Sequence, residues 1–125
     1  MHQLLKLLGL AMRANKVVTG EDFCVEGIRK NEIKYVFLAS DAGINTTKKI
    51  TDKTTYYKVP LCTDFTSSEL STAIGKNNRM VVGIKDIGFA KKIKEIRWLR
   101  WQKIKEKLES QIFHLKMPIK TRRVY

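Results

Sequence analysis

Tyr35-Val36-Phe37-Leu38-Ala39 is an unbroken apolar run rich in β-formers. A strand that is apolar on both of its alternating faces is one covered on both sides, as in the centre of a layered α/β sheet. Working outward, Met80-Val81-Val82-Gly83-Ile84 has the same character and predicts a second buried strand. Lys16-Val17-Val18-Thr19 predicts a short extended piece. Tyr57-Lys58-Val59-Pro60-Leu61 reads as a further strand, and Pro60, which lacks an N–H, places it near an edge or a strand end.

Helices fill the intervals. From Gln3 to Ala14, Lys6, Gly9 and Arg13 fall on one side and Leu4, Leu5, Leu7, Leu8, Ala11 and Met12 cover the rest. Gly20-Glu21-Asp22 opens a second helix, expected to reach about Lys30, whose acidic first turn suits the positive end of the helix dipole. Ile44, Thr47, Ile50 and Thr54 recur at helical spacing, with Asp41 as a cap. Thr66-Ser67-Ser68-Glu69 is a capping box ahead of Leu70, Ala73 and Ile74, and Gly75 supplies the stop. Helices alternating with short apolar strands predict an α/β fold: a three-layer α/β/α sandwich around a mixed, roughly four-stranded sheet.

The last third changes character. No glycine or proline interrupts the stretch from Gly88 to about Leu115, which predicts one long C-terminal helix. Phe89, Ile93 and Ile96 form a first apolar stripe, offered to the domain. Trp101, Ile104, Leu108, Ile112 and Leu115 form a second, rotated from it, which must fold back, bind something else, or self-associate. Residues 97–125 carry nine of the 25 Lys+Arg and two of the 12 Asp+Glu. Pro118 is expected to stop the helix and leave Lys116–Arg123 as a flexible basic end. The expected organisation is therefore a domain over residues 1–96 and a basic helical extension over 97–125.

A net charge of +13 on 125 residues favours polyanionic partners. No run approaches the roughly 20 apolar residues of a membrane span, and the charged start lacks the cleavage pattern of a signal peptide, so no membrane partner and a cytoplasmic location are expected. Cys24 and Cys62 have no metal-type companions and read as buried, reduced thiols. Phosphate-loop and dinucleotide glycine patterns are missing. His2 and His114 lie in settings unsuited to a general base, and Glu21-Asp22 is explained by the helix dipole, so neither an enzyme nor a cofactor nor a metal is expected.

The run Leu8 to Asp22, followed by Tyr35 to Gly43, Asn45 to Lys49, Tyr56 to Pro60, Ala73 to Lys76 and Asp86 to Ala90, resembles the bacterial YlxQ-type proteins of the ribosomal "L-seven-Ae" family. The resemblance covers roughly residues 3–96. It implies a three-layer fold and the binding of kink-turn RNA in ribosomes or other ribonucleoproteins. In that family a Gly-x-Asn-Glu-x-x-Lys segment at the start of the second helix and a loop before the last strand grip the RNA. Gly20 matches the glycine, whereas the Asn, Glu and Lys positions fall on Asp22, Phe23 and Glu26, and a further basic position on Lys30. Asp22 retains acceptors for base amino groups, and Glu26 removes a phosphate contact.

The expected RNA-contacting set is Arg13, Lys16, Gly20, Glu21, Asp22, Lys30, Lys76, Asn77, Asn78 and Arg79. In it, Arg13, Lys16 and Lys30 form a positive rim around Gly20, and the polar loop Gly75–Arg79 reaches phosphates and base edges. Two other readings stand beside this one. The chain could be a protein-interaction module that pairs helices through its second apolar stripe, or a nonspecific nucleic-acid binder that acts through its basic end.

Overall fold

The computed structural model describes residues 2–123, with side chains as far as Gln111. Its elements alternate as read from the sequence: α1 (Gln3–Arg13), β1 (Val17–Thr19), α2 (Glu21–Arg29), β2 (Tyr35–Leu38), α3 (Ile44–Tyr56), β3 (Leu61–Cys62), α4 (Ser67–Ile74), β4 (Val81–Ile84) and α5 (Ile87–Arg123). The four strands form one mixed sheet in the order β1-β4-β2-β3. β4 runs antiparallel to both β1 and β2, and β2 runs parallel to β3.

The pleat sorts the core into two layers. Val36 and Leu38 join Val81, Cys24, Ile28, Ile33 and Ile50 on the face covered by α2 and α3. Tyr35 and Phe37 point the other way, toward Phe65 and His2, with ring centroids 6.3 Å apart for Phe37–Phe65 and 4.9 Å for His2–Phe65. Leu4, Leu5, Leu8 and Ala11 of α1 and Leu70 and Ile74 of α4 are buried as well. His2 also has a local duty: its Nδ1 accepts from the Leu4 N–H at 3.0 Å and caps α1.

Ile33 locks the α2 face. A Cβ at Gly27 would lie 2.6 Å from Ile33 Cδ1, and one at Gly83 would lie 2.7 Å from the same atom. The space next to the central strand is therefore filled by a side chain that arrives from the α2–β2 connection.

Four sequence expectations need correction. Residues 57–60 form no strand. Tyr57 caps α3 and Lys58 takes a left-handed turn at φ +58°, so the chain becomes extended only at Leu61. Asp41 caps a helix, but it is α4 rather than α3: its carboxylate accepts from Ser67 N at 2.8 Å and Ser67 Oγ at 2.9 Å, while Gly43 precedes α3. Gly9, grouped with Lys6 and Arg13 on the polar side, instead lets α4 approach, since a Cβ there would be 2.9 Å from the Ala73 carbonyl oxygen. Helix α5 passes Pro118 and continues to Arg123. A proline removes one backbone donor and displaces one carbonyl, which weakens a helix locally without forbidding its continuation.

The capping box at Thr66–Glu69 and the left-handed Gly75 that ends α4 are formed as expected. Cys24 and Cys62 are unpaired and buried. Burial pushes the Cys24 thiol up to about 12, which keeps it protonated.

The chain divides into two compact units, Met1–Ile93 and Lys94–Tyr125. Asp86 Oδ2 accepts from the Phe89 N–H at 2.9 Å and starts α5. Of the first apolar stripe, Ile93 and Ile96 are buried and Phe89 is half-buried. In the second stripe Trp101, Ile104 and Leu108 are each about half exposed, at 49%, 54% and 51%. The Ile112 and Leu115 side chains lie outside the described residues. No helix among the described residues is long and apolar enough to cross a membrane.

Candidate functional site

Strand β1 ends where β4 begins. The Gly20 N–H donates to the Val81 carbonyl at 3.0 Å, extending the ladder by one bond and bringing the start of α2 beside the loop that leads into β4. Gly20 adopts φ +98°, ψ 146°, a region that only glycine occupies without strain. The chain can therefore leave the strand and enter the helix within a single residue.

The neighbouring loops are fastened to the same end of the sheet. Ala39 N–H donates to the Met80 carbonyl at 2.8 Å, and Ser40 N–H to the Phe65 carbonyl at 2.8 Å. The loop after α4 is held by the buried Ser71. Its Oγ accepts from the Arg79 N–H at 2.8 Å and donates to the Arg79 carbonyl at 3.5 Å. Between these anchors Lys76, Asn77 and Asn78 are exposed, with Asn78 in a left-handed turn at φ +53°. Ser67, Ser68, Ser71, Thr72, Lys76, Asn77 and Asn78 surround a polar hollow of about 400 Å³. Arg79 Nε is shielded from water and donates to no acceptor among the described residues. A donor in that state favours an incoming acceptor. A larger hollow of about 500 Å³, on α3 between Lys49 and Tyr57, contains none of the expected site residues.

The structure thus brings together Gly20, Glu21, Asp22, Lys76, Asn77, Asn78 and Arg79. It does not bring Arg13, Lys16 and Lys30 to them. Lys16 precedes the opposite end of β1, where its carbonyl accepts from Lys85 N at 2.8 Å, and Arg13 closes α1 just before it. Lys30 caps the far end of α2, about 14 Å from Gly20 along a nine-residue helix at roughly 1.5 Å per residue. In a β–α–β crossover the helix returns the chain to the end of the sheet where it began. The expected rim is therefore a separate basic cluster, joined there by Lys34 and Lys85.

Glu21 is committed to the fold. It accepts from Thr46 Oγ1 at 2.6 Å and pairs with Lys49 at 2.8 Å, tying α2 to α3, and these contacts hold its carboxyl below the usual range. A lowered folded-state pKa contributes stability that is full above the unfolded value of 4.5 and is lost as pH falls through the folded value. Glu21→Gln is therefore expected to lower the urea midpoint at pH 7, with the difference from the parent protein shrinking as pH falls below 4.5 and the carboxyl becomes protonated. Glu26 is similarly occupied, by Arg29 at 2.8 Å and Lys30 at 3.5 Å. Asp22 remains exposed, and beside it Phe23, the single aromatic ring of α2, is 73% exposed.

Ser71, Lys49 and the Asp41–Ser67 tie were not singled out from the sequence. Their roles depend on partners eight to 28 residues away in the chain, a separation at which no local pattern carries a signal.

The pattern of the ribosomal protein L7Ae/L30e/S12e/Gadd45 family matches residues 2–94. The chain belongs to this family. Two relatives share half of the aligned residues, and both carry the name RNA-binding protein YlxQ. The one from Enterococcus faecium is 50% identical over 95 residues, 76% of this chain and 91% of the relative. The one from Bacillus subtilis (strain 168) is 51% identical over 87 residues, 70% and 87% of the two chains. A solved structure of a protein of unknown function from Bacillus halodurans superposes with a TM-score of 0.74 at 41% identity, covering 76% of this chain and 96% of that one. The Giardia lamblia 15.5kD RNA binding protein shares the fold, with a TM-score of 0.66 at 17% identity over 72% of this chain and 80% of its own. The L7Ae-family match ends eight residues into α5, so 29 of the 37 residues of that helix lie beyond it.

Proposed function

We propose that the protein is a non-enzymatic binder of structured RNA of the kink-turn type, acting in the cytoplasm within a ribosome or another ribonucleoprotein. The observation that carries this reading is the Gly20–Val81 hydrogen bond, which sets the first turn of α2 and the Lys76–Arg79 loop side by side at one end of the sheet. The half-identical relatives named as RNA-binding proteins support the choice of ligand. Asp22 accepts from exocyclic amino groups of bases, Asn77 and Asn78 read base edges, and Lys76 and Arg79 take phosphates.

Glu21 and Glu26 are spent on ion pairs within the protein, so α2 contributes Asp22 and backbone rather than a cation. The discriminating experiment is a salt-titrated comparison of a kink-turn RNA with the same RNA after its kink-forming G·A pairs are replaced. The kinked form is expected to bind at least tenfold more tightly, with the preference persisting at high salt, where nonspecific phosphate contacts fade. Equal affinities would sink kink-turn recognition and leave a general basic RNA binder.

A further inference from the structure

Both tryptophans of the chain, Trp98 and Trp101, lie on α5 beyond the family match. Their rings stack on one another with centroids 5.5 Å apart and planes 24° from parallel, yet they remain 55% and 49% exposed. Two large aromatic surfaces paired in water form a ready platform for a third flat ring. Lys105 Nζ stands 5.1 Å from the centroid of the Trp101 ring, adding a cation to that end of the stack.

The charges around the platform indicate its occupant. At about 100° per residue, Lys94 and Lys105 fall within about 40° of Trp101, Lys105 also pairing with Glu109 at 4.0 Å, whereas Glu95 and Glu106 lie more than about 100° away. A second copy packed on this face would set these cations against their own equivalents in the seam, which opposes self-pairing. A chain of phosphates carrying flat, unpaired rings satisfies both features.

We propose that α5 carries a second RNA contact, distinct from the site at the strand ends, on which unpaired nucleotides stack against the Trp98–Trp101 pair while Lys94 and Lys105 take their phosphates. The proposal rests on the RNA-binding reading only for the kind of polyanion and is independent of kink-turn recognition.

The test compares a blunt kink-turn RNA, the same RNA with a single-stranded tail of ten uridines, and oligouridine of that length alone, each added to the full chain. Because the only tryptophans are in the platform, intrinsic fluorescence reports on it directly. The tail is expected to raise affinity about tenfold and to quench the fluorescence, within the range for one stacked base. Oligouridine alone should quench in a salt-dependent manner even if the kink preference is absent. Trp98→Ala should abolish the gain from the tail while leaving the blunt RNA unaffected, and Trp98→Phe should keep most of it. Tailed and blunt RNAs binding alike without quenching would overturn the proposal. So would sedimentation as a dimer that dissociates on Trp98→Ala, which would instead assign the face to a second copy.

Discussion

Gly83→Val is expected to destabilise the fold by about 3 kcal/mol, the upper end of overpacking costs, and to lower the melting temperature by roughly 15 °C in a domain of this size. The new Cβ would sit 2.7 Å from Ile33 Cδ1, 3.1 Å from Cγ2 and 3.3 Å from Cγ1, and Ile33, fully buried and filling the space at both Gly83 and Gly27, has little room to retreat. Ile33 is itself 1% exposed, so Ile33→Ala alone should cost about 2–4 kcal/mol by leaving a void. The two changes together exchange three carbons across one contact. The double variant should therefore be more stable than the sum of the single effects by at least about 1 kcal/mol. Thermal and urea unfolding of the four proteins measures this, and simple additivity would show that Gly83 is small for some reason other than Ile33.

The second large effect is on binding. Lys76→Gln together with Arg79→Gln is expected to weaken kink-turn RNA binding by about 30- to 100-fold at low salt, roughly 2–2.8 kcal/mol, and to flatten the slope of log affinity against log salt by about 1 to 2. Lys76 is exposed, and the backbone of residue 79, rather than its side chain, is what Ser71 holds, so the fold should survive both changes. Circular dichroism and melting check that point. The control is Lys16→Gln with Lys30→Gln, at the opposite end of the sheet, which should change affinity by less than threefold. If the control pair matters as much as the loop pair, RNA is held at the other end of the molecule.

Local patterns made most of the architecture legible. The Tyr35–Ala39 and Met80–Ile84 runs announced the two central strands, since a strand buried on both faces needs no partner to be recognised. The Thr66–Glu69 box announced α4 because both of its hydrogen bonds close within three residues. Pairings across the chain were not legible. Asp41 is a capping residue in sequence, but which helix it caps depends on a contact 26 residues away. Glu21 reads as a dipole-compensating acid, and only the packing of α2 on α3 reveals Thr46 and Lys49 as its partners. The site was half legible for the same reason. Gly20 and the Lys76–Arg79 loop carry their own signals, and the helix expected from Gly20 to Lys30 and the extended piece at Lys16–Thr19 already set Lys30 and Lys16 apart from Gly20; what the linear order hides is that these lysines meet Lys34 and Lys85 at the other end of the sheet.

Ser71 has a consequence for how this surface can change. One hydroxyl holds both backbone groups of Arg79, and the opposite end of the loop is fixed by Gly75 N–H to the Thr72 carbonyl at 3.2 Å and Lys76 N–H to the Ser71 carbonyl at 2.9 Å. Every one of these anchors is main chain or Ser71 itself, so the side chains of residues 76–78 carry none of the mounting. The loop behaves as an interchangeable reading head on a fixed bracket. Positions 76 and 77 can change chemistry while the scaffold beneath keeps the same shape and nearly the same melting point, whereas position 78, at φ +53°, favours asparagine, aspartate or glycine.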